Sequence, residues 1–180
     1  GNALNFPRGI TTSGDGHVYL AASSNAFEIT PSGTISEIID SSGDGAGNPF
    51  PGGSHVAVHS DGTVYVGGSS DSVFAISPAG TITEVVGPFD PEPPLLLNLA
   101  GLALDADENV YVSSDSGDAV FRVSPVGTLS VAIPFSGAGF SKHLSDPDDV
   151  AVDGSGNVYV VGRISNNALK LTPAGTITEI

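Results

Sequence analysis

Four times along the chain the sequence returns to the same three residues. Val18-Tyr19-Leu20, Val64-Tyr65-Val66, Val110-Tyr111-Val112 and Val158-Tyr159-Val160 recur 46, 46 and 48 residues apart. A second marker, Pro-x-Gly-Thr beginning at Pro31, Pro78, Pro125 and Pro173, recurs 47, 47 and 48 residues apart. Two unrelated markers on one period specify a repeat architecture, in which each unit buries its apolar surface against its neighbours.

Each unit reads as four short strands. The first is Gly-Ile-Thr-Thr from Gly9, His-Val-Ala-Val from His55, Gly-Leu-Ala-Leu from Gly101 or Asp-Val-Ala-Val from Asp149. Asp, Asn and Gly follow, the residues that tolerate the positive φ of hairpin turns. The Val-Tyr stretch is the second strand, and an aliphatic run ending at the Pro-x-Gly turn is the third. The fourth is more polar, with Glu37, Glu84 and Glu179 at one shared position, where the third unit has Val131. Charge on that strand suits an edge that must not pair with another chain. Val-Tyr-Val is apolar on both sides, so the middle of each sheet is expected to be covered on both faces. The expected fold is therefore all-β: a β-propeller of four-stranded antiparallel blades, four in this chain, spanning about 9–40, 55–87, 101–134 and 149–180 of a single domain 1–180.

The best-written unit, Asp146 to Ile180, runs Asp-Pro, an aliphatic strand, an Asp/Gly-rich turn, Asn-Val-Tyr-Val, a polar loop, a second aliphatic strand and Pro-x-Gly. This pattern resembles the NHL-repeat β-propellers, and the resemblance extends over all four units. It implies a propeller whose relatives include binding scaffolds, lyases and lactonases. That family usually closes six blades, and four are written here. Three outcomes stay open: self-closure as a tight ring, a homodimer completing an eight-bladed ring, or further blades of a longer parent chain. Exposed sheet faces would mark the seams.

Composition narrows the partners. The 180 residues carry 20 Asp plus Glu against five Lys plus Arg, a net charge of −15. So few cations cannot build a phosphate-binding footprint, which argues against nucleic acid. No apolar run approaches the ~20 residues of a membrane span, so membrane insertion is not expected. Cysteine is absent, which removes disulfides and thiolate metal sites. Methionine is absent too; that reads as a processed mature chain or an excised segment. With the acidity and Ser/Thr/Gly richness, the expectation is an extracellular or periplasmic protein.

Any site is expected on the face carrying the second-to-third-strand loops and the crossings between blades. Those crossings are irregular, unlike the stereotyped turns opposite, and irregular loops on a rigid scaffold carry binding residues. Candidate binding residues there are Arg8, His55, Phe89, Lys142, His143, Asp148, Asp149 and Arg163. Phe50, Phe89, Phe135 and Phe140 are candidate aromatic anchors. Leu95, Leu96 and Leu97 read as packing or as a partner patch. Asp146, Asp148 and Asp149 are weak metal candidates, since three close carboxylates bind a hard cation such as Ca²⁺ through oxygen; they serve equally as turn caps around Pro147. The runs Asp105-Asp107-Asn109 and Asp153 to Asn157 lack the twelfth-position glutamate of an EF-hand loop and read as hairpin turns. No nucleophile elbow or phosphate-binding Gly loop is written, and no residue is assigned as catalytic. The reading is a non-catalytic module recognising a protein or carbohydrate, with no required cofactor. The alternative, implied by the resemblance, is a metal-assisted lyase or lactonase with Asp148, Asp149 and His55 as ligands or base.

Overall fold

Val-Tyr-Val runs form strands because β-branched and aromatic side chains pack well on a pleated, covered surface. In the computed structural model, which describes residues 3–68, 71–87, 98–139 and 142–180, they are the second strand of every sheet. Phe89, Phe140 and Leu95 to Leu97 lie outside the described residues. Among the described residues there is no helix, and no helix long and apolar enough to cross a membrane. The chain divides into two compact units, Gly1–Phe89 and Asp90–Ile180.

The first unit holds two up-and-down antiparallel sheets. One is β1 (Gly9–Thr12), β2 (Val18–Ala21), β3 (Ala26–Ile29) and β4 (Ile35–Ile39); the other is β5 (His55–Val58), β6 (Val64–Gly67), β7 (Val73–Ile76) and β8 (Ile82–Val86). Tyr19, Ala21, Ala26 and Ile39 of the first sheet pack on Val56, Val64, Val66, Phe74 and Ile76 of the second. Close approach needs small residues at the strand ends. A Cβ on Gly9 would lie 2.7 Å from the Ser54 carbonyl oxygen.

The second unit repeats the design with β9 (Leu99–Leu104), β10 (Val110–Ser114), β11 (Ala119–Val123) and β12 (Leu129–Ile133), then β13 (Pro147–Val152), β14 (Val158–Gly162), β15 (Asn167–Leu171) and β16 (Ile177–Glu179). Tyr111, Val120 and Ile133 of the third sheet meet Val150, Val158, Val160 and Leu169 of the fourth. Leu144, from the crossing between them, is fully buried in the same cluster. All of β6 and β10 is buried, as expected for strands covered on both faces.

The Asp-rich segments are hairpin turns. Asp153 accepts the backbone N–H of Ser155 and of Asn157, each at 2.9 Å, and its other oxygen accepts the Tyr159 hydroxyl at 2.9 Å. Asp105 does the same for Asp107, Asn109 and Tyr111. Gly156, at φ 75°, supplies the left-handed residue that closes the fourth sheet's turn. The N–H donors hold the Asp153 carboxyl down at about 2, with the Asn157 side chain the largest contributor. One aromatic expected in a loop proves to be core. Phe50 is fully buried and meets Phe74 edge-on, with ring centroids 5.5 Å apart. The crossing folds back because an apolar ring gains more by filling the gap between two sheets than by facing water.

Candidate functional site

At the crossing-loop end of the second unit, three connections are stitched together. The β10–β11 loop turns at Asp115 to Asp118, with Asp118 in the left-handed region at φ 47°. Its Oδ1 accepts the Asp146 N–H at 2.7 Å and the Ser145 hydroxyl at 3.0 Å. Asp146, also left-handed at φ 53°, accepts Arg163 twice: the backbone N–H on its carbonyl at 2.9 Å and Nη2 on Oδ2 at 2.5 Å. Ser165 accepts the Ser145 N–H on its hydroxyl at 3.1 Å, and Asn167 Nδ2 donates to the His143 carbonyl at 2.9 Å. Short Asp, Ser and Asn side chains make this possible, because they tolerate left-handed backbone and reach neighbouring main chain.

The charges in this network are unequal. Asp146 is buried and neutralised by Arg163, whose side chain is 65% exposed. Asp115 stands beside it with its carboxyl raised above the ordinary range, first by burial and then by the charge of, and a hydrogen bond to, Asp146. A second carboxyl in hydrogen-bond contact opposes ionisation of the first, which adds to burial in raising Asp115. With Asp146 committed to Arg163 and to the backbone, the network's chief work is to position the loops.

The loops so held present apolar and cationic groups to solvent. Phe135 is 54% exposed and Ile164 is 71% exposed. The Phe135 ring lies 5.3 Å from the His143 ring, and its carbonyl accepts the Leu144 N–H at 2.8 Å. Lys142 reaches Glu179 at 3.4 Å.

The structure thus gathers Lys142, His143 and Arg163 of the expected residues at or beside one loop cluster. Arg8 lies in the first unit, where its N–H donates to the Ala21 carbonyl. His55 pairs with Gly67 across β5 and β6, also in the first unit. Asp148 and Asp149 are exposed residues of β13, and Asp149 accepts the Val150 N–H. The carboxylates of Asp146, Asp148 and Asp149 do not converge on a common point. A cation there would have to displace the Arg163 guanidinium from Asp146, so the three do not fit as a ready Ca²⁺ cradle. The remaining histidines are engaged locally, His17 with Glu28 and His59 with Asp61.

Sequence reasoning passed over Asp115, Asp118 and Ser145. A signal existed: Asp71, Asp118 and Asn166 share one repeat position, and each has positive φ.

At the opposite, hairpin-turn end, each unit has a cleft between its two sheets. The second unit's holds about 820 Å³ and is lined by Asp105, Tyr111, Arg122, Val131 and Asp153 among others. The first unit's holds about 530 Å³, with Tyr19, Glu28 and Pro78 at matching positions. Recurrence at matching positions marks these clefts as a product of sheet-on-sheet packing.

No family model and no curated relative matches the chain. Solved structures do. A streptogramin B lyase superposes with a TM-score of 0.75 at 19% identity, covering 96% of this chain and 53% of that one. Virginiamycin B lyase from Staphylococcus aureus gives 0.74 at 19%, covering 99% of this chain and 56% of the lyase. A putative gluconolactonase gives 0.69 at 16%, covering 100% and 64%. This chain therefore spans a little over half the length of the two lyases. Likeness at such low identity extends to fold and not to activity. The chain has the β-propeller fold, built of four-stranded antiparallel sheets.

Proposed function

We propose that this chain is a non-catalytic recognition module that binds a protein or carbohydrate through the crossing-loop end of its second unit. The observation that carries the reading is the pairing of exposure with restraint: Phe135, Ile164 and Arg163 face solvent from loops already fixed by the Asp118–Ser145–Asp146–Arg163 bonds. Aromatic and Arg side chains dominate interface energetics, and pre-organised loops lose little entropy on binding. An extracellular or periplasmic setting suits a chain of net charge −15 with no cysteine to protect.

A second reading has its own observation. The Asp115 and Asp146 carboxyls stand in hydrogen-bond contact, an arrangement that general acid–base chemistry uses, and the neighbours in fold include lyases. One experiment separates the two. The chain and its Phe135→Ser/Ile164→Ser variant are screened against glycan and peptide arrays, while the chain and Asp115→Asn are assayed on lactones and cyclic depsipeptides with added Mg²⁺ or Ca²⁺. Saturable binding weakened about tenfold or more by the double substitution supports recognition. Turnover lost in Asp115→Asn, without such binding, replaces it with the enzyme reading.

A further inference from the structure

The two faces of the first sheet meet different fates. Strand pairing puts Tyr19 opposite Thr11, and Ala21 opposite Ala26, on the face that packs on the second sheet. The other face carries Ile10 opposite Leu20, Val18 opposite Ile29, and Ile35 opposite Ile29 in turn. There Ile10 is 69% and Ile35 is 65% exposed, while Val18, Leu20 and Ile29 are half-buried. Two large aliphatic side chains this exposed on one sheet face, beside three half-buried ones, mark the face as incompletely covered.

The repeat says what belongs on it. The residues of the second sheet that match Ile10, Val18, Leu20 and Ile29 are Val56, Val64, Val66 and Ile76, none more than 8% exposed. They are covered by the Tyr19-bearing face of the first sheet. In the second unit, Val150, Val158 and Val160 of the fourth sheet are likewise buried, against the Tyr111-bearing face of the third. Within each unit, one aliphatic face seats a tyrosine face of the same repeat.

Among the described residues, the tyrosine face of the fourth sheet is exposed at Ala151 and Val161. On it Ala151 lies opposite Tyr159, and Val161 opposite Ala168. Val161 is 47% exposed and Ala151 is exposed, whereas the matching Ser113 of the third sheet is wholly buried. Within the second unit, Ser113 Oγ and Val150 N both come within 2.8 Å of one point beside Gly101. Val161 and Ile10 occupy the matching positions on the two unfilled faces.

We infer that these faces join between chains: the fourth sheet of a second copy seats on the first sheet, bringing Tyr159 and Val161 of one protomer onto Ile10 and Leu20 of the other. Each chain supplies one aliphatic seat and one tyrosine face, and a pair of copies that exchange them fills both by two equivalent contacts.

The chain has no cysteine, which makes a cross-linking test clean. Ile10→Cys and Val161→Cys are made as separate variants, mixed, and treated with a short bis-maleimide. Light scattering measures the parent in parallel, with Ile10→Glu and Val161→Glu as disruptors. Both positions are exposed in the single chain, so the glutamates should leave folding intact, and a β-type circular dichroism spectrum checks that. Expected are a parent mass of twice the 18.0 kDa chain, a covalent dimer from the mixture beyond that from either variant alone, and dimerisation weakened about tenfold or more by either glutamate. A parent monomeric up to near-millimolar concentration overturns the inference. So does a double-cysteine variant that links within one chain, which would mean self-closure, or a dimer indifferent to both glutamates.

Discussion

Replacing Arg163 by Met tests whether the loop cluster is held by charge. The guanidinium sits 2.5 Å from Asp146, whose side chain is only 8% exposed, but is itself 65% exposed. Breaking a fully buried pair costs about 3–5 kcal/mol, and a hydrogen bond to a charged group contributes about 1.5–3 kcal/mol. Solvent access to Arg163 moves the expectation to the low end, about 1.5 kcal/mol. For a chain of this length that lowers the melting temperature by about 3–6 °C at pH 7. The pH dependence sharpens the test. Asp115 has its carboxyl raised above the ordinary 3.8, so its ionisation penalises the folded state above that raised value and ceases to do so below 3.8. Removing Arg163 deepens the penalty at neutral pH. The gap between parent and variant should therefore narrow as the pH falls from 7 toward 3.8. It should also be smaller in an Asp115→Asn background, because neighbours in one network couple. Scanning calorimetry at both pH values, on all four members of the cycle, reads the result. An unchanged melting temperature at pH 7, or a loss as large at pH 3.8 as at pH 7, would refute the electrostatic account of the loop clasp.

Three further outcomes follow from the packing and the turns. Phe50→Ala should cost about 3–5 kcal/mol in urea unfolding, the range for emptying a buried aromatic site; a loss under 1 kcal/mol would return Phe50 to the surface. Gly101→Ala forces a Cβ to within 2.6 Å of Asp149 Oδ1 and 2.8 Å of the Val150 nitrogen, so overpacking of about 1–3 kcal/mol is expected. Gly14→Ala, with open space around it, should change stability by less than about 0.5 kcal/mol, and equal effects at the two glycines would deny the close sheet contact. Asp153 should titrate near 2 by carbon-detected NMR. Because its carboxyl is depressed, the stability it contributes is present above 3.8 and lost as the pH falls through about 2. Asp153→Ala should accordingly melt lower than the parent at pH 7 and converge with it toward pH 2.

The placement of residues at the crossing-loop end was legible in the sequence, and for a definite reason. Lys142, His143 and Arg163 could be assigned to the crossing-loop end because strand count and strand order decide which end of a blade a loop occupies. Asp115 and Asp118 were harder to see. Their importance comes from Ser145 and Asp146, residues 27 and 28 positions beyond Asp118, and no local pattern records so distant a hydrogen bond. The Asp105 and Asp153 turns were readable because each carboxylate caps donors two and four residues ahead. Phe50 was misplaced because loop membership does not say which way a ring folds back.

The sequence by itself determined the all-β character, the four repeats with four strands apiece among the described residues, and which residues alternate from face to face, since all of these rest on spacings of two residues or on a period near 47. Only the tertiary structure decided which faces were filled and which carboxylates met. Val56 and Ile10 occupy the same place in the same motif, yet one is 8% exposed and the other 69%. Alternation says that a side chain leaves the sheet on a given side; whether another sheet waits there depends on residues far away along the chain, or on another molecule.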